Sequence, residues 1–125
     1  YLASVMRDNP RVKRTESGLF YEIVEPGNRK QHPGQEDRVV VHYEGKLRTG
    51  EVFDTTHDRG EPMTLSLNHV IPGWKGGMQL IGKGGTILLW IPPDLAYGEQ
   101  GAAGVIGPNE VILFKVELLD VNPQE

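Results

Sequence analysis

Apolar and polar positions alternate over much of this chain at the period of extended backbone. The clearest stretch is 37–47. There Val39, Val41 and Tyr43 fall on one face, with Val40, His42 and Glu44 on the other. A second stretch near the C-terminus sets Ile112, Phe114, Val116 and Leu118 against Lys115 and Glu117, which predicts another half-buried strand. Shorter extended segments are predicted at 19–24, 52–54, 63–67 and 86–91, each bounded by Gly or Pro turns. A helical period occurs in two places. Leu2, Val5 and Met6 stand at i, i+3, i+4 before Asn9-Pro10, which reads as the end of a longer N-terminal helix. Trp74, Met78 and Ile81 form the second apolar stripe. Pro72 suits the first helical position, and Gly82-Lys83-Gly84-Gly85 is expected to end that helix. The pattern predicts an α+β domain over 15–125, with a five- to six-stranded antiparallel sheet around one short helix. Residues 1–14 form the N-terminal helix end plus a linker.

Composition narrows the chemistry. Sixteen Gly and nine Pro make a fifth of 125 residues, while 38% hydrophobic content supports a folded core with many turns. The absence of cysteine excludes a disulfide framework, a thiolate zinc site, an iron–sulfur cluster and a cysteine nucleophile. A net charge of −4 argues against a broad nucleic-acid face. No apolar run reaches membrane-spanning length, so no membrane insertion by this segment is expected.

Local motifs for catalysis are poor. The segment 77–84, Gly-Met-Gln-Leu-Ile-Gly-Lys-Gly, nearly spells a phosphate loop, but Gly84 stands where a magnesium-binding hydroxyl is required. His32, His42, His57 and His69 lack metal-ligand spacing, and Ser4, Ser17 and Ser66 lie in no nucleophile elbow. Neither a metal nor a cofactor is expected. What remains is an aromatic set at strand ends and loop mouths: Tyr43, Phe53, Trp74, Tyr97 and Phe114. Such a set is commonly plain core. Two features favour a pocket: Tyr97 lies in a turn-rich stretch, and Asp54 directly follows Phe53. A carboxylate among aromatics needs a partner, for which Tyr97 and Arg59 are the candidates.

The motifs VHYEG (with Tyr43), VFDTTHDRG (52–60), VIPGW (70–74), IPPDLAYG (91–98) and VILFKVELL (111–119) resemble those of FKBP-type peptidyl-prolyl cis-trans isomerases. They occur in that family's order over roughly 15–121, with wording most similar to the bacterial Mip and FkpA subgroup. The resemblance implies non-covalent, cofactor-free rotation of X–Pro bonds in proline-containing polypeptides. It also implies binding of macrolides such as rapamycin. Tyr43, Phe53 and Phe114 would wall the pocket, and Trp74 would floor it. Val70 and Ile71 would border it, the Ile71 amide binding a substrate carbonyl. Asp54, linked to Arg59, would face the twisting peptide, and the Tyr97 hydroxyl would hold another carbonyl. Met63 and Leu65 stand where human members carry Phe. Val105 and Ile106 would come from an overhanging loop in which Ala102-Ala103 replaces His-Pro. The subgroup resemblance implies a bacterial cell-envelope location and a homodimer formed through a further N-terminal region. A peptide-binding chaperone module with little turnover would use the same pocket. Trp90 is read as core or surface packing.

Overall fold

A computed structural model of the chain describes residues 2–28, 30–34, 36–56, 60–98, 101, 106–107 and 109–122. A short helix α1 (Leu2–Asp8) leads into β1 (Lys13–Arg14) and β2 (Phe20–Glu25). Three strands follow: β3 (Arg38–Leu47), β4 (Val52–Thr55) and β5 (Met63–Ser66). A 3-10 turn at Leu67–His69 precedes α2 (Pro72–Met78), and β6 (Thr86–Ile91) and β7 (Ile112–Val121) complete the order. The strands form one sheet in the order β1-β2-β6-β7-β3-β4, every pairing antiparallel, with β5 also on β3. The strand beyond the expected five or six is β1. It is two exposed residues long and has no alternation to reveal it.

Burial follows the sequence alternation. In β3, Val39, Val41, Tyr43 and Gly45 are buried, and in β7 so are Ile112, Phe114, Val116 and Leu118. These side chains face α2, whose Trp74 and Met78 are buried with Ile81 just beyond the helix. Each aliphatic side chain so enclosed contributes about 1.5–3 kcal/mol.

The helix packs unusually close to the sheet. A Cβ on Gly73 would stand 2.5 Å from Ile91 Cγ2, and one on Gly77 would stand 2.7 Å from Leu89 Cδ2. Gly at i and i+4 therefore lets the backbone of α2 rest on β6, a second stripe beside the apolar one.

The helix is also shorter than the Gly-rich segment suggests. It stops at Met78, where the Gln79 side-chain amide donates to the Lys75 carbonyl at 2.8 Å. Residues 82–85 instead join two regions of the sheet. The Gly82 amide donates to Pro26, the Asn28 amide to Lys83, and the Gly84 amide to Leu118. The glycines that looked like a helix cap are a junction between the end of β2 and β7.

Candidate functional site

Four aromatic rings from four elements meet on the helix side of the sheet. Trp74 of α2 lies edge-to-face with Tyr43 of β3, centroids 5.2 Å apart at 90°, and with Phe114 of β7 at 5.2 Å and 86°. Phe53 of β4 meets Phe114 at 5.7 Å and 78°, and Tyr43 meets Phe114 at 6.1 Å and 61°. These T-shaped contacts place the positive edge of one ring on the negative face of the next. The rings enclose a cavity of about 300 Å³ that Asp54, Leu65, His69, Val70, Ile71 and Tyr97 complete. That volume is at the lower end of small-ligand sites, apolar with a few fixed polar groups.

Two backbone features hold the rings there. The β3–β4 register runs Glu44–Thr55, Gly45–Asp54, then Lys46–Val52, so Phe53 is the extra residue of a bulge. Gly45 makes room opposite it. A Cβ there would stand 2.7 Å from Phe114 Cε1 and 2.8 Å from Phe53 Cζ. The glycine of the VHYEG motif thus lets two pocket rings close over β3, a role the sequence did not disclose.

The polar groups sit at the rim. The Tyr43 hydroxyl donates to Asp54 Oδ2 at 2.6 Å and lies 3.8 Å from Met63 Sδ. An O–H···O⁻ bond of that length is among the strong ones. Burial, and then the charge of Asp54, push the Tyr97 hydroxyl above its ordinary value of 10.0, so at neutral pH it stays a donor. Ile71 accepts the amides of Trp74 and Lys75 on its carbonyl as α2 begins. Among the described residues, neither the Ile71 amide nor the Tyr97 hydroxyl has a hydrogen-bond partner. Both remain available to a ligand.

The cavity wall brings together Tyr43, Phe53, Asp54, Leu65, Val70, Ile71, Trp74, Tyr97 and Phe114 from the sequence-derived set. Met63 stays beside Tyr43 but outside the wall, 37% exposed. Ile106 is buried in the core and is not among the residues that line the cavity. Arg59 and Val105 lie outside the described residues, as do His57, Asp58, Ala102 and Ala103. The hydroxyl that donates to Asp54 belongs to Tyr43 and not to Tyr97. The two meet because Gly45 pairs with Asp54, which sets Tyr43 diagonally across from it. His69 was missed as a lining residue. Its one signal was its place immediately before VIPGW.

The other face of the sheet carries a cavity of about 220 Å³, with Leu88, Trp90 and Leu113 among Glu44, Lys46 and Lys115. Trp90 pairs with Phe20 on one side and Leu113 on the other, as a packing residue of that face.

Comparison with known proteins adds the family. The sequence profile of FKBP-type peptidyl-prolyl cis-trans isomerases matches residues 29–119. FkpA of Escherichia coli strain K12, named as such an isomerase, is 50% identical over 112 residues, covering 90% of this chain and 41% of that protein. An outer membrane protein MIP of Legionella longbeachae is 42% identical over 118 residues, covering 94% of this chain and 50% of that one. The crystal structure of Escherichia coli FkpA superposes with a TM-score of 0.90 at 45% identity, covering 98% of this chain and 56% of that one. The chain spans about half the length of the curated relatives it matches. With an antiparallel sheet packed on one short helix, an aromatic cavity at their junction and these relatives, this chain belongs to the FKBP-type peptidyl-prolyl cis-trans isomerase family, in its bacterial Mip/FkpA subgroup.

Proposed function

We propose that this domain accelerates rotation about X–Pro bonds of polypeptides held in the aromatic cavity. The observation that carries the reading is the cavity itself: four edge-packed rings, with Asp54, Tyr97 and the Ile71 amide at its edge. Turning an X–Pro bond breaks amide resonance, a barrier near 20 kcal/mol. A thousandfold acceleration requires about 4 kcal/mol, and no nucleophile is needed to supply it. The twisted amide is less polar than the planar one, so an apolar, water-poor cavity favours it over the ground state. Trp74 receives the proline ring, with Tyr43, Phe53 and Phe114 around it. The Ile71 amide and the Tyr97 hydroxyl donate to substrate carbonyls, fitting the rotated geometry better than the planar one. Asp54, held by Tyr43, faces the turning bond.

The same cavity takes macrolides such as rapamycin through these groups. The family resemblance suggests a homodimer formed through a further N-terminal region, and the relative named as an outer membrane protein suggests a cell-envelope location. In the described residues no helix is long and apolar enough to cross a membrane. A protease-coupled assay on an X-Pro-Phe peptide tests the reading. Turnover above the uncatalysed rate, suppressed by rapamycin, is expected. Binding without turnover would assign the cavity to peptide capture alone.

A further inference from the structure

Thr56 follows β4, is 0% exposed and forms no part of the cavity wall. Its contacts nonetheless converge on the cavity. Its amide donates to the Tyr43 carbonyl at 3.0 Å, and its Oγ1 accepts the Tyr43 amide at 2.9 Å. The same hydroxyl lies 2.8 Å from His42 Nδ1 and 3.4 Å from the Tyr43 carbonyl oxygen. Both backbone groups of Tyr43 are therefore met by one residue, and the acceptor is a side chain where a regular ladder would offer a carbonyl. Two residues earlier on the same segment, Asp54 accepts the Tyr43 hydroxyl at 2.6 Å.

Tyr43 is thus gripped at its backbone and at its hydroxyl by residues 54–56. This matters because β4 is a four-residue edge strand whose pairing is interrupted at Phe53. A short bulged edge specifies its register weakly. Beside the bond from its own amide, the Thr56 hydroxyl supplies a second one that fixes this segment against the Tyr43 backbone. Without it a buried amide loses its acceptor, and the backbone must shift or leave that amide unpaired. A 2.6 Å bond to a carboxylate has little room for such a shift.

We infer that Thr56 is a positioning residue for the isomerase site: its hydroxyl sets the Tyr43–Asp54 pair without touching substrate. The inference rests on the proposed isomerase reading.

The test compares Thr56→Val, which keeps the shape and removes the hydroxyl, with Thr56→Ser, which keeps the hydroxyl. Both are assayed on the whole chain at a temperature where near-UV circular dichroism shows each to be folded. Thr56→Val is expected to lower kcat/KM about tenfold, mostly through kcat, and Thr56→Ser to recover it to within about threefold. In a Tyr43→Phe background, Thr56→Val should add less than about twofold, since its route to Asp54 is already broken. The NMR resonance of the Tyr43 hydroxyl proton bonded to Asp54 should shift upfield or vanish in Thr56→Val and persist in Thr56→Ser. Wild-type kcat/KM with only a lowered Tm would show a purely structural role and overturn the inference, as would a full tenfold loss in the Tyr43→Phe background. If Thr56→Val does not fold, Thr56→Cys, with a sulfur that accepts weakly, takes its place under the same criteria. Absence of turnover in the wild-type chain would sink the isomerase reading instead. The hydroxyl resonance then tests the clamp alone.

Discussion

The two faces of the sheet carry similar materials and do different things. Each has a tryptophan, aliphatic neighbours and a concavity of comparable size. On the helix side, Trp74 is 4% exposed and its ring is fixed by perpendicular contacts to Tyr43 and Phe114. The polar groups there are few and aimed: Asp54 held by Tyr43, Tyr97 at the rim, and the Ile71 amide at the start of α2. On the outer face, Trp90 is half-buried in a cross-strand row from Phe20 to Lys46. Its charged neighbours include Glu44 and Lys46, which pair with each other at 3.2 Å across exposed side chains. An exposed pair of that kind contributes at most about 1 kcal/mol. Hydrophobic content therefore does not separate a site from a surface. What separates them is whether the rings are locked and the polar atoms are held in place with capacity left over.

The comparison can be broken from its strong side first. Trp74→Ala removes the floor of the cavity and is expected to destabilise the domain by about 3–5 kcal/mol in urea unfolding, with isomerase activity lost. Gly45→Val drives a branched side chain into Phe53 and Phe114. It should cost about 1–3 kcal/mol and lower kcat/KM more than its stability loss explains, because the wall itself is displaced. Tyr97→Phe should reduce kcat/KM by about tenfold at most, since it removes one donor from a pocket whose main action is exclusion of water. A loss beyond about a millionfold would indicate covalent or acid–base chemistry and sink the proposed mechanism.

The same tyrosine sharpens the comparison by titration. Its folded value is raised above 10.0, so its contribution to stability is complete below 10.0 and lost as the pH climbs through the folded value. Absorbance titration of Asp54→Asn should lower the Tyr97 midpoint only partway, because burial is the larger cause. The weak side is tested last. Trp90→Ala should cost less than about 2 kcal/mol and leave kcat/KM within twofold. A large activity loss there would erase the distinction between the faces.

The long strands were legible because one residue type recurs at the period of the backbone. In β3 and β7 alternation alone identified the buried face from Val39 to Tyr43 and from Ile112 to Leu118. The resemblance then supplied most of the cavity residues, which are scattered over 43–114. What stayed hidden depends on pairing between distant segments. Nothing near Asp54 announces that Tyr43, eleven residues earlier, will donate to it. Nothing near Gly45 announces two rings, because the register shift that turns Phe53 inward exists only once β3 and β4 pair. Gly73 and Gly77 read as helix-weakening residues until β6 lies against them. Thr56 stands inside VFDTTHDRG, but nothing in that motif announces its role, which lies in which amide it meets.

The place of β7 has a consequence for how this chain comes into being. It is the last strand in order yet lies in the middle of the sheet, between β6 and β3. Without it the strands fall into two separate groups, β1-β2-β6 and β3-β4-β5. During synthesis neither group has a finished edge until residues 112–121 leave the ribosome, and Phe114 arrives with them. Such long-range closure is slow, since loop entropy must be overcome before the contacts form. A domain proposed to ease a slow step in the folding of others is itself closed by β7, the last strand among the described residues.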